Sequence, residues 1–253
     1  MRDGVMFEDV NYGTAVDVAA ATAMIYTGSS PAINGIPAAM VYDTEKRISY
    51  PIVLDPTKIG NYTDETYSPK AIKVSTLSDE VRIDGGGLGN VYSIAPSAPQ
   101  SLILAGHAGN SAFWINDVTG KWATTTYYKD VPPTMQSRNY SRPLATRLDT
   151  LTWRPLMAPE KYPDLPAYKK YYPFRHLFQR NDIDRFRNYK TSAPVNTELT
   201  DIAADYLKGL RLGNGDAMDM LSIGYTLAPF AAAKDADSRI ETMDSYIRLD
   251  SEL

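Results

Sequence analysis

TELTDIAADYLKGLRLGNGDAMDMLSIGYT, residues 197–226, decides the fold class. Leu199, Ile202, Ala203, Tyr206, Leu207 and Leu210 recur at three- and four-residue intervals, which predicts a helix over 197–212, with Gly213 just beyond its end. In MDMLSIGYT (218–226) that period is lost and a short apolar run reads as a buried strand. A helix with one apolar stripe and a strand apolar on both faces each need a partner layer, and the cheapest partner for one is the other.

Working outward, the alternation continues. Ala236, Ile240, Met243 and Ile247 predict a last helix at 235–250. Upstream, NVYSIA (90–95), SLILAG (101–106), SAFWI (111–115) and KWATTTYY (121–128) read as short strands between Pro, Gly and Asn punctuation, SLILAG as a buried parallel one. Ser68-Pro69 opens a helix with Val74, Leu77 and Val81 on one face and Gly85 at its end, and residues 14–27 form an alanine-rich helix capped by Gly28. This order predicts an α/β three-layer sandwich around a mainly parallel sheet. The glycine run at 84–90 follows a helix and precedes a strand, the reverse of a dinucleotide-binding loop, and reads as a turn.

Composition bounds the chemistry. A chain of 253 residues, 43% hydrophobic and 22% charged, has an ordinary globular balance and length for one domain. No apolar run is long enough to span a membrane, and MRDGVMFEDV carries no signal-peptide pattern. With no cysteine, disulfides, thiolate metal sites and a cysteine nucleophile are excluded, and His107 and His176 are the only imidazoles. A net charge of −4 argues against nucleic-acid binding. Residues 139–190 stand apart, with eleven Lys/Arg against five Asp/Glu. They read either as a cap whose Arg142, Trp153, Lys169, Lys170, Tyr171, Tyr172 and Arg175 meet an anionic or carbohydrate-like ligand, or as a solvated insertion whose tyrosines pack on the main sheet. The second is preferred, because basic and aromatic residues interleave often without a site.

Several motifs carry a resemblance. Thr27-Gly28-Ser29-Ser30-Pro31 with Asn34-Gly35-Ile36 resembles a TG-x-x-P-x-x-HGI signature, asparagine standing for histidine, and Tyr42-Asp43 its WYD. Residues 67–82 resemble an SP-x-x-L-x-x-x-T-x-x-D-x-L helix, and residues 105–114 resemble AGH-x-x-x-A-x-W. Glu241, Asp244, Tyr246, Arg248, Leu249 and Asp250 resemble E-x-x-D-x-Y-x-R-L-D. In this order the motifs are similar to those of the alkaline phosphatase superfamily, in its type I phosphodiesterase/nucleotide pyrophosphatase family.

The resemblance implies hydrolysis of phosphate esters by two zinc ions and a threonine or serine nucleophile. Carried over by spacing, the nucleophile position is Val18 and an asparagine that contacts the phosphoryl group becomes Ala39. The lysine and arginine of a phosphate-gripping turn become Ser97 and Pro99, and a metal-binding D-x-x-x-H becomes Pro229 and Ala233. The first-strand aspartate and a DHG motif would lie before Met1 and beyond Leu253, so the expectation is one alkaline-phosphatase-like domain over 1–253, incomplete at both ends, with 139–190 as a cap-like insertion. With those groups replaced, no zinc cofactor is expected. Asp17, Thr22 and His107 are the remaining candidates for chemistry, although helix caps and a satisfied structural histidine explain them more simply. His176 reads as a surface residue. The expectation is a non-catalytic relative that binds a small molecule or a protein, with no nucleic acid and no membrane span. Two alternatives stand beside it: a metal-dependent phosphoric ester hydrolase using substituted residues, and the structural part of a longer protein. Export of the family's members points to an extracytoplasmic bacterial location.

Overall fold

The computed structural model describes residues 8–9, 11, 17–163, 165–171, 173–233 and 238–253. The expected helical residues 14–16 and 235–237, and Tyr172, lie outside them. Helix α1 (Val18–Thr27) begins at Asp17, whose carboxylate accepts from the Ala20 N–H, and ends at Gly28, whose φ of 61° is left-handed. Of its residues Ala19, Ala20 and Ala23 are buried, small side chains that allow close packing. The short α2 (Pro31–Asn34) leads into an antiparallel hairpin of β1 (Met40–Asp43) and β2 (Ile48–Pro51), and β3 (Gly60–Asn61) follows.

The helix expected to open at Ser68 is two pieces. Ser68 accepts from Lys70 N–H and holds one 3₁₀ turn, Pro69–Ala71, after which the chain extends. Helix α3 (Leu77–Asp84) starts afresh at Thr76, whose hydroxyl accepts from Asp79 N–H while the Asp79 carboxylate accepts from Thr76 N–H. This reciprocal capping box satisfies two end donors at once, and Val74 falls outside the helix.

After β4 (Val91–Ile94) comes the larger correction. SLILAG is helix, not strand: α4 (Ala98–Ala105) begins after an extended Ser97 with Pro99 in its first turn. Ser101 through Ala105 are all buried, because α4 is wedged between the sheet and α1. A helix covered all round shows no 3.6-residue period, and a short apolar run then mimics a buried strand.

Strands β5 (Ser111–Ile115) and β6 (Trp122–Thr125) form where expected. The segment that follows contains α5 (Pro133–Tyr140), α6 (Leu144–Leu148), β7 (Thr152–Trp153), α7 (Ala167–Tyr171), β8 (His176–Leu177) and α8 (Arg185–Lys190). The long α9 (Pro194–Gly209), β9 (Met220–Ile223) and α10 (Arg239–Glu252) complete the chain.

The central sheet runs in the order β3-β6-β5-β4-β9. Its core is parallel, β4 pairing with β5 and β9, while β6 and β3 extend it antiparallel. Alternation in β5 sorts the two faces. Phe113 and Ile115 join a core with Leu199, Ile202 and Tyr206 of α9, whereas Ala112 and Trp114 join Ala98 and Leu102 of α4. The fold is therefore an α/β sandwich, with α4 and α1 on one face and α9 on the other. Leu148, Trp153, Phe178 and Tyr189 from the 139–190 stretch belong to the same core as Phe113 and α9. That stretch packs against the sheet through its aromatic residues.

The motif on α10 fastens the same stretch. Asp244, fully buried, accepts from Trp153 Nε1 at 2.7 Å, Leu156 N–H at 2.6 Å, Tyr162 Oη at 2.8 Å and Arg248 Nε at 2.7 Å. A buried carboxylate met by four donors is satisfied, and removing it would strand all four.

Candidate functional site

A cavity of about 440 Å³ opens beyond the carboxyl ends of β4 and β5, the edge where open α/β sheets hold ligands. Val18 and Ala39 line it, as do Ser97 and Pro99. The four positions come from three different segments: the first turn of α1, the approach to β1, and the start of α4. Asp17 joins the first two. Its Oδ1 accepts from Ala20 N–H at 2.9 Å and its Oδ2 from Ala39 N–H at 2.6 Å, so one carboxylate caps α1 and pins the loop beside it.

Most of the remaining wall lies outside the sequence motifs, Tyr67 and Trp114 being end residues of two of them. Glu65, Tyr67, Trp114, Asp117 and Lys190 reach the cavity from segments far apart in sequence. Lys190 Nζ lies 2.6 Å from Asp117 Oδ1 and donates to Ile115 O. Glu65 Oε2 accepts from Trp114 Nε1 at 2.7 Å and from the Thr63 hydroxyl at 3.1 Å. Burial, together with the negative charges of Glu65 and Asp117, pushes the Tyr67 phenol up to about 12. Van der Waals walls and carboxylates dominate the site.

The other candidates stand elsewhere. The Thr22 hydroxyl donates to Val18 O one turn back, an ordinary helix contact. His107 follows α4 at the opposite edge of the sheet, before β5. Its Nδ1 is 3.1 Å from Asp79 Oδ2 and its Nε2 3.1 Å from Ile72 O. Both partners only accept, so the imidazolium is the form that satisfies the ring. The bond to Asp79 accordingly raises its pKa against the opposing effect of burial. Gly106 beside it is fixed by space: a Cβ there would stand 2.2 Å from Thr76 Oγ1. The AGH turn thus works as a clasp between α3 and α4. Asn34, in the signature's histidine position, is buried and donates to Ser29 O at 2.8 Å while accepting from Ile36 N–H at 2.9 Å.

Pro229 and Ala233 lie after β9, and neither is among the residues lining the cavity. His176 departs from its expected place at the surface. It packs among Trp153, Phe174 and Phe230, and its Nε2 is 3.0 Å from the buried Glu241 carboxylate. Trp153 and Phe230 are distant in sequence, which hid its half-buried setting. A zinc pair needs several imidazole and carboxylate donors converging on one point. Among the described residues no group of three or more His, Cys, Asp or Glu could hold a metal ion, and Pro229 and Ala233 carry no donor side chain. The residues present do not fit the pair.

No family model matches the chain. It is 26% identical over 242 residues to alkaline phosphatase PhoV of Synechococcus elongatus, a match covering 90% of this chain and 44% of PhoV. It is 26% identical over 245 residues to alkaline phosphatase PafA of Elizabethkingia meningoseptica, covering 90% and 45%. A calcium-transporting ATPase of Myroides odoratus is 27% identical over 259 residues, again covering 90% and 45%. Crystal structures of wild-type PafA and of a PafA variant with four substitutions are similar to it, with TM-scores of 0.75 and 0.77 at 25% identity, covering 93% of this chain and 48% of theirs. The chain spans about half the length of the relatives it matches.

Proposed function

The chain belongs to the alkaline phosphatase superfamily, and from that premise we propose that it is a non-catalytic relative of the type I phosphodiesterase/nucleotide pyrophosphatase branch, whose inherited cavity binds a ligand without hydrolysing it. One observation carries the reading. Val18, Ala39, Ser97 and Pro99 line the same cavity, and none of them offers a cation. The spacing in the solved PafA variant supports the correspondence. The threonine and asparagine replaced there lie as far apart as Val18 and Ala39 do here, and the lysine and arginine as far apart as Ser97 and Pro99.

Phosphate-ester hydrolysis requires an attacking oxygen, a base or metal to activate it, and positive charge where the phosphoryl oxygens gather electrons. Val18 has no oxygen. Ser97 has one, but no histidine lines the cavity, and the carboxylates there are engaged elsewhere: Asp17 by backbone N–H groups, Glu65 by Trp114 and Thr63, Asp117 by Lys190. Asp17 has both oxygens engaged by backbone N–H groups, and Thr22 and His107 stand apart from each other, which argues against the substituted hydrolase. A second reading, the structural part of a longer protein, draws on β9, which has a strand neighbour on one side only among the described residues. An extracytoplasmic bacterial location belongs to the proposal as well.

The test is turnover of p-nitrophenyl phosphate and bis(p-nitrophenyl) phosphate with zinc supplied, alongside the metal content of the protein. The expected result is no turnover above a zinc blank and no stoichiometric metal. Stoichiometric zinc with turnover that Thr22→Val abolishes would establish the hydrolase instead.

A further inference from the structure

Building on the non-catalytic reading, we propose that the cavity receives an organic cation, an ammonium group carried on an apolar or aromatic body, and disfavours phosphate esters. The cavity is about 440 Å³, a volume suited to a small molecule. Its walls combine the side chains of Val18, Met40 and Pro51 with the rings of Tyr67 and Trp114, whose centroids are 5.9 Å apart. Aromatic faces attract cations, and apolar walls accept a hydrocarbon body.

The charges point the same way. Asp17, Glu65 and Asp117 face one lysine, Lys190. That lysine is committed to Asp117 at 2.6 Å, which leaves Glu65 receiving neutral donors: Trp114 Nε1, the Thr63 hydroxyl and the Tyr67 phenol. Among the described residues no cation pairs with Glu65. Burial first, and then the charges of Glu65 and Asp117, hold the Tyr67 phenol above its ordinary range.

What would favour an anion is reduced. The N-terminus of α1 carries a partial positive charge, but the Asp17 carboxylate occupies it, bonded to Ala20 N–H and Ala39 N–H. Helix α4 also starts at the cavity without a side-chain cap, but Pro99 takes one N–H out of its first turn, leaving those of Ala98 and Gln100 against three carboxylates. An incoming phosphate would meet three carboxylates and one cation already paired. An ammonium would meet Glu65 and the partly exposed Tyr67 ring, in a wall completed by the buried Trp114.

Calorimetric titration of the whole chain with benzyltrimethylammonium, benzyl alcohol and phenyl phosphate separates the possibilities. The expected order is ammonium tightest, alcohol weaker by about tenfold, and phosphate undetectable, tenfold being the effect of about 1.4 kcal/mol. Glu65→Gln keeps an oxygen for Trp114 Nε1 and should remove most of the ammonium's advantage, while Ala39→Trp fills the cavity and should abolish binding of both. Phenyl phosphate binding as tightly as the ammonium, equal affinity for ammonium and alcohol, or binding untouched by Ala39→Trp would each overturn the inference. So would no binding of any probe, an outcome that leaves the absence of hydrolysis standing. Zinc-dependent phosphatase turnover would overturn the non-catalytic reading itself.

Discussion

At the cavity, Val18, Ala39, Ser97 and Pro99 offer no cation, and the nearest carboxylate, Asp17, is occupied by the backbone. Asp17 supplies the negative charge that the first turn of α1 attracts, and its bonds to Ala20 N–H and Ala39 N–H make it an anchor. Asp17→Ala is expected to cost about 1 kcal/mol, the usual effect of losing an N-cap, read as a lower denaturant midpoint. At the other edge the Asp79–His107 pair makes stability depend on pH. Burial pushes the Asp79 carboxyl up, but the bonds from His107, Thr76 and Ala108 outweigh it and leave it at about 2, against 3.8 ordinarily. Its contribution, on the order of 2 kcal/mol, is therefore present above pH 4 or so and lost as pH falls toward 2. His107 is held above its ordinary 6.5, so its share is complete below that value and fades as pH rises through the raised one. Thermal unfolding followed from pH 3 to 9 should show both arms, and His107→Gln should flatten the alkaline one. An alkaline arm unchanged in that variant would contradict the assignment.

Among elements, legibility in the sequence depended on how each is covered. Helix α9 shows its period because one side faces solvent, and Leu199, Ile202 and Tyr206 mark the buried side. Helix α4 hides its period because it is enclosed, although Ser97-Ala98-Pro99 is a helix start that could have corrected the strand reading. Likewise Thr76-x-x-Asp79 is a capping-box signal for α3, overshadowed by Ser68-Pro69. Two predictions belong at this scale. Leu102→Ala, in the middle of α4, is expected to destabilise by about 2–5 kcal/mol, because the enclosed position cannot collapse into solvent. Asp244→Ala strands the donors of Trp153, Leu156, Tyr162 and Arg248. Limited proteolysis of that variant should cut within 150–175 under conditions where the unaltered chain resists, with a loss of about 3–5 kcal/mol. Equal protease resistance would show that the motif on α10 does not hold that segment.

At the scale of the whole molecule, the alternation of helix and strand carried the α/β fold, and ordered motifs carried the superfamily. What sequence spacing could not supply was the cavity's far wall. Glu65, Asp117 and Lys190, which belong to no motif, meet Trp114 only because the loop before Tyr67, the end of β5 and the end of α8 converge at the carboxyl edge of the sheet. The Gly28 cap, the Asn34 turn, the AGH clasp and the Asp244 anchor are all formed, while the positions that the resemblance assigns to phosphate hold valine, alanine, serine and proline. The most direct test is anomalous X-ray scattering at the zinc edge from crystals equilibrated with zinc and phosphate. No anomalous peak is expected in the cavity beside Val18, whereas a pair of strong peaks there, bridged by phosphate density, would show a working two-metal site.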